Sequence, residues 1–178
     1  RREERIVRVL TEPFPEQISP GSAVSIGKFD GVHLGHRAVL RELVDRATAL
    51  GLESVAVTFD RNPLEVVAPG RTPPALVTLE RKLALLADAG VDATVVLRFD
   101  GARATQSPED FVADVLVHRL NARSVEVGSD FRFGAGGTGD VALLRELGDA
   151  AGFETIVVGD VGVADEARIS ASRIRALV

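Results

Sequence analysis

A Rossmann-like, doubly wound α/β fold is predicted for this chain by two observations. Five short apolar runs alternate with segments long enough for amphipathic helices, and the longest irregular stretches follow the runs. The runs fall at 23–26, 54–59, 94–99, 124–127 and 155–158, giving a parallel sheet of about five strands. With 178 residues and 46% hydrophobic content, the chain is sized for one compact domain, 1–178.

The first run ends at Gly27, and Gly31 and Gly35 follow, so the backbone can turn tightly and approach a ligand. A helix is predicted over 34–50, stopped by Gly51. After the run at 54–59 comes a Pro-rich loop, 60–77, whose length suits a functional segment. The spacing then predicts a helix over 79–89 ending at Gly90, and the run at 94–99. Ser107-Pro108-Glu109-Asp110 reads as a helix start, with Ser as N-cap, Pro at the first helical position and acids in the first turn, so a helix is expected over 108–120. The run at 124–127 leads into a glycine loop, 128–140, and a helix over 141–151 closes at Gly152. The last run, 155–158, is followed by a loop to Ser170 and a helix from Ala171 onward.

Ligands of such folds collect beyond the carboxyl ends of the strands. The unusual residues of this chain fall there. His33 and His36 lie three apart where a strand gives way to a helix, so they share a helix face. Free N–H groups and the positive end of the helix dipole at such a place favour anions, and imidazoles add donors. The alternative is a plain glycine turn with two wet histidines. Only three His occur in the chain, and two of them fall in this turn, which favours a phosphate site.

Composition narrows the ligand. A net charge of −5 argues against nonspecific nucleic-acid binding, and the absence of Tyr and Trp leaves little surface for stacking single strands. No run of about 18 apolar residues suggests a membrane span. Cys is absent, which removes disulfides and thiolate metal sites and suits a cytoplasmic protein. A phosphorylated small molecule is the expected partner. Met is also absent, so Arg1 is not a translation start and a longer parent chain is expected.

Four blocks carry a resemblance: Gly27 to His36; Val57-Thr58-Phe59-Asp60-Arg61-Asn62-Pro63-Leu64; Val127-Gly128-Ser129-Asp130-Phe131-Arg132-Phe133-Gly134 with Gly139-Asp140; and Arg168-Ile169-Ser170-Ala171-Ser172-Arg173-Ile174-Arg175. Their order and spacing resemble the FMN adenylyltransferase module of prokaryotic bifunctional FAD synthetases, which belongs to the nucleotidyltransferases with a His-x-Gly-His motif. That resemblance implies AMP transfer from ATP to FMN, giving FAD and pyrophosphate, with Mg2+ as cofactor.

By the same resemblance, His33 and His36 stabilise charge on the leaving pyrophosphate. Gly27, Phe29 and Asp30 join them at ATP, and Arg168, Ser170, Ser172 and Arg173 grip its β and γ phosphates, with Ser172 and Arg173 also at the reacting centre. Asp130 stands beside the reacting phosphates, binds Mg2+ together with them, and borders FMN; Phe59, Asn62, Pro63, Phe131 and Phe133 line the flavin pocket. The alternative for the two loop phenylalanines is core packing at a strand end. Gly134 to Gly139 lacks the Lys-Ser/Thr ending of a phosphate cradle and is expected to act as a mobile lid.

Departures from the family pattern are Ala171 where Ser is usual, Asn62 where His is common and Arg61 where Pro is common. A riboflavin kinase module normally follows and is not expected within 1–178, though it is an expected partner in a longer parent chain. Two other functions share parts of these motifs. One is an adenylyl or cytidylyl transferase acting on another phosphorylated acceptor, and the other is a nucleotide- or flavin-binding module without catalysis.

Overall fold

The computed structural model describes residues 8–12, 17–18, 20–27, 29, 34–61, 66, 70 and 78–158, with only the backbone for 34–36. The strands are β1 (Arg8–Thr11), β2 (Ser22–Ile26), β3 (Glu53–Phe59), β4 (Ala93–Leu97), β5 (Ala122–Gly128) and β6 (Glu154–Val158). The helices are α1 (Leu34–Leu50), α2 (Leu79–Asp88), α3 (Gly101–Ala104), α4 (Pro108–Phe111), which runs straight into a π-helix (Val112–Arg119), and α5 (Val141–Ala151).

All strand pairs are parallel, in the order β1-β4-β3-β2-β5-β6. A parallel sheet is covered on both faces, so its inner strands are apolar nearly throughout rather than alternating. Every residue of β2 and β4 is buried. On one face Val24, Ile26, Val55, Val57, Val95 and Val125 pack with Phe111, Val115 and Leu116 of the α4–π segment and Leu144 of α5. On the other, Ala23 and Ala56 lie under Leu40, Leu43 and Ala47 of α1 and Leu86 of α2. The sheet is thus doubly wound.

The structure has a sixth strand beyond the expected five. β1 is a four-residue edge strand, mostly exposed, whose apolar stretch is broken by Arg8; its pairing with β4, Arg8 opposite Ala93, defines it. The expected run at 94–99 stops at Leu97 because carboxylates capture the next two N–H groups. Arg98 N donates to Glu12 Oε1 at 3.1 Å and Phe99 N to Asp60 Oδ1 at 3.0 Å. The expected helix 108–120 is α only in its first turn. Leu120 N donates to Val115 O, five residues back, at 3.0 Å. Phe111, Val112, Val115 and Leu116 form one buried stripe that either winding accommodates, so the pattern does not separate the two. The helix predicted from Ala171 lies outside the described residues.

Gly148 of α5 packs directly against Phe153, the residue before β6. A Cβ there would stand 2.5 Å from the Phe153 ring and 3.0 Å from its carbonyl oxygen. Ala is the better helix former by about 1 kcal/mol. Even so, overpacking should win, and Gly148→Ala is expected to cost about 1–2 kcal/mol net. Urea denaturation checks this, and an unchanged midpoint would mean that β6 yields freely.

Candidate active site at the ends of β2, β3 and β5

The chain runs from β2 through β3 to β4 on one side and returns to β5 on the other side of β2. That reversal is the topological switch point, where the loops after two neighbouring strands diverge and leave a crevice. The loop after β2 enters α1 and the loop after β5 contains Asp130. The end of β3, with Phe59, is the next neighbour. At about 4.8 Å between strands, the three ends span about 10 Å.

The β2 side begins at Gly27, whose N–H donates to Val57 O at 3.1 Å, so it still follows β3. A Cβ on Gly27 would sit 3.2 Å from the Phe29 ring. Phe29 has φ of +50°, a left-handed conformation that costs a phenylalanine about 1–3 kcal/mol. Burial offsets that strain. The ring is 2% exposed and belongs to the core with Ala23, Leu40 and Leu43. Phe29, expected at ATP, has its ring in the core beneath α1.

Helix α1 begins at Leu34, as the glycine spacing predicts, so His33 immediately precedes it and His36 lies in its first turn. No acidic residue occupies that turn, a composition that suits a bound anion at the helix N–H groups. His33, Asp30, Asn62, Pro63, Arg168, Ser170, Ser172 and Arg173 lie outside the described residues, as does the His36 side chain.

On the β5 side Gly128, Ser129 and Asp130 are exposed. Phe131 N donates to Gly128 O at 3.1 Å and closes a turn. The turn folds the Asp130 carboxylate back over the strand end, with Oδ1 3.1 Å from where a Cβ on Gly128 would stand. A side chain at 128 would crowd that carboxylate. Among the described residues no group of three or more His, Cys, Asp and Glu could hold a metal ion. A cation at Asp130 would therefore need most of its ligands from elsewhere.

The two loop phenylalanines have different fates. Phe133 is 6% exposed and part of the core, whereas Phe131 is half-buried and stacks on it, with ring centres 5.5 Å apart and planes 13° apart. Phe111 of α4 continues the series at 6.0 Å from Phe133, and the Arg103 guanidinium lies 6.0 Å over Phe111. The sequence gives no sign of Phe111's place in this stack, since Phe111 and Phe133 meet only through the fold. Phe59, half-buried at the end of β3, meets Phe99 edge to face at 5.7 Å.

The expectation of a mobile lid at Gly134 to Gly139 is corrected. Phe133 and Gly139 exchange N–H···O bonds of 3.0 and 2.8 Å, and Ala135 N donates to Gln106 O at 2.7 Å. Gly134 has φ of +78°, and a Cβ there would be 2.4 Å from the Pro108 ring; one on Gly139 would be 2.8 Å from the Phe133 ring. These glycines permit close packing in a pinned turn. At the end of β4, Asp100 caps α3. The Arg103 backbone N–H holds its carboxyl below the usual carboxylate range against the opposing effect of desolvation, with smaller help from the nearby Arg98 and Arg103 charges.

Residues 16–173 match the FAD synthetase family model. The bifunctional riboflavin kinase/FMN adenylyltransferase of Escherichia coli K12 is 41% identical over 134 residues, 75% of this chain and 43% of its own length. That of Pseudomonas fluorescens is 37% identical over 171 residues, 96% of this chain and 54% of its own. A protein of Geobacillus thermodenitrificans, provisionally given the same name, is 45% identical over 159 residues, 89% of this chain and 83% of its own. The chain thus spans about half the length of the first two. Among solved structures, a macrolide-efflux protein from Streptococcus pneumoniae superposes with a TM-score of 0.80 at 24% identity, covering 97% of this chain and 58% of that one. At that identity the likeness speaks for the fold.

Proposed function

The chain belongs to the FAD synthetase family, and from that premise we propose that it transfers AMP from ATP to FMN, giving FAD and pyrophosphate. The observation that carries this reading is the convergence at the β2/β5 switch point of the end of β2 at Gly27, a helix start with no acid in its first turn, and an exposed carboxylate followed by a stacked phenylalanine pair.

The chemistry suits this chain's residues. An oxygen of the FMN phosphate attacks the α-phosphorus of ATP, the bond to the bridging oxygen breaks, and pyrophosphate leaves with its electrons. The acceptor brings its own nucleophile, so the protein contributes position and charge stabilisation. His33, His36 and the N–H groups at the start of α1 receive the charge that gathers on the leaving group. Gly27, Asp30 and the Phe29 backbone border the nucleotide, and Arg168, Ser170, Ser172 and Arg173 hold its β and γ phosphates with guanidinium forks and hydroxyls. Asp130 aligns the FMN phosphate. Phe131 offers its half-buried face to the flavin, with Phe59, Asn62 and Pro63 around it and Phe133 as the support beneath.

Mg2+ fits this donor set, because it is commonly held by substrate phosphates with one or two protein carboxylates, and Asp130 is an exposed carboxylate at the strand end. When bound it supplies neutralisation of phosphate charge. No helix among the described residues is long and apolar enough to cross a membrane. We place the reaction in the cytoplasm, where ATP is supplied and a chain without Cys loses nothing to reducing conditions. A riboflavin kinase module in the parent chain would supply the FMN.

Incubation of the protein with ATP, FMN and magnesium, followed by chromatography, is expected to yield FAD and pyrophosphate. Riboflavin with ATP should stay unreacted, since the family match occupies 16–173 and leaves no domain-sized stretch of these 178 residues for a kinase. FMN appearing from riboflavin, or ATP and FMN remaining unchanged, would sink the respective half of the proposal.

A further inference from the structure

We propose that the Arg46–Glu126 ion pair, whose carboxylate is fully buried and whose arginine is partly exposed, is a positioning device for the transfer step, fixing helix α1, which follows His33 and contains His36, against strand β5, which leads into Asp130. The proposal rests on the adenylyl-transfer reading of the same crevice.

Glu126 is fully buried on β5, two residues before Gly128. Val125 and Val127 face the core under the π-helix, so Glu126 faces α1 on the other side of the sheet. One of its oxygens, Oε1, accepts from Arg46 Nη1. The other, Oε2, has no hydrogen-bond partner among the described residues. Taking a carboxylate out of water with one oxygen unmet is costly, and well-packed apolar residues in place of such a pair are often neutral or stabilising. Stability therefore gives no reason for this pair, and its placement gives a better one.

Helix α1 packs on β2 and β3, while β5 lies on the far side of β2. These are the two sides of the crevice. The row opposite Glu126 runs through Ser25 and Ala56 to Thr94, and Ala23 lies on the same face. Small side chains give that face low relief, so apolar packing alone opposes sliding of α1 only weakly. Among the described residues, Arg46–Glu126 is the ion pair that links α1 to β5. It reaches past β2 and sets where the start of α1 stands relative to Asp130. Holding ATP and FMN each on its own side would not need this register; bringing the phosphate oxygen in line with the α-phosphorus would.

The test is the Arg46→Leu/Glu126→Leu double variant, with Glu126→Gln as the second. Activity is read as kcat and the KM values for ATP and FMN. Geometry is read as the spin-label distance between Arg41→Cys and Thr138→Cys, both at exposed positions in a chain with no cysteine of its own. We expect kcat to fall about ten- to a hundredfold with KM values within about threefold. The thermal midpoint should stay near or above the parent's, and the distance distribution should broaden. A parental kcat or a parental distance distribution overturns the proposal. If the double variant does not fold, Glu126→Gln decides on the same two readouts. If the parent makes no FAD, the functional reading fails, and the distance arm alone decides whether the pair sets the register.

Discussion

Alanine at His33 or at His36 is expected to lower kcat by about 10²–10³-fold, equivalent to about 3–4 kcal/mol of transition-state stabilisation, while the KM for ATP changes several-fold at most. The reason lies in when the charge appears. Pyrophosphate leaves the α-phosphorus carrying charge that the ground state spreads over the whole triphosphate. A donor aimed at the leaving group therefore strengthens as the bond breaks, and its loss shows in turnover more than in binding. The helix start supports this assignment, since α1 begins at Leu34 with no acid in its first turn. His36→Asn keeps a neutral donor and should recover part of the loss. Single variants that keep more than about a third of parental kcat would show that these histidines are solvated helix-end residues.

Asp130→Ala should lower kcat by about 10²-fold, and raised magnesium should repair it only in part. The carboxylate is exposed, folded over Gly128 by a closed turn, and in no ion pair among the described residues, so it is free to meet a substrate-borne cation. Asp130→Asn preserves one oxygen ligand with the same reach and should retain far more activity than the alanine variant. Equal losses in the two would make charge the deciding property. A parental rate for the alanine variant at every magnesium concentration would make Asp130 an acid that merely caps its own turn.

Much of this fold is legible locally. Helices α1 and α5 end where Gly51 and Gly152 enter the left-handed region, at φ of +69° and +95°, a conformation that glycine adopts without steric cost. Ser107 caps α4 through the Asp110 N–H, as its motif predicts. The short strands fall where apolar runs are bounded by polar residues. What escapes is set by partners distant in sequence. β1 is a strand because β4 offers an edge, and β4 ends early because Glu12 and Asp60 take its next N–H groups.

The candidate site divides in the same way. The glycine spacing, the paired histidines and the Asp130 loop are visible in the sequence because each is a local device: a turn, a helix start, a strand end. By itself the sequence determined the α/β class, the glycine stops of the helices and the family, since periodicity, capping and motif order act over short stretches. Only the tertiary structure decided that the Phe29 and Phe133 rings are core anchors while Phe131 keeps a partly open face, and that the Gly134–Gly139 segment is pinned against Pro108. It alone set Glu126 beneath α1 facing Arg46, 80 residues away. Burial and pairing are properties of surfaces that meet only when a parallel sheet brings distant strands side by side, and no local pattern records which surfaces those will be.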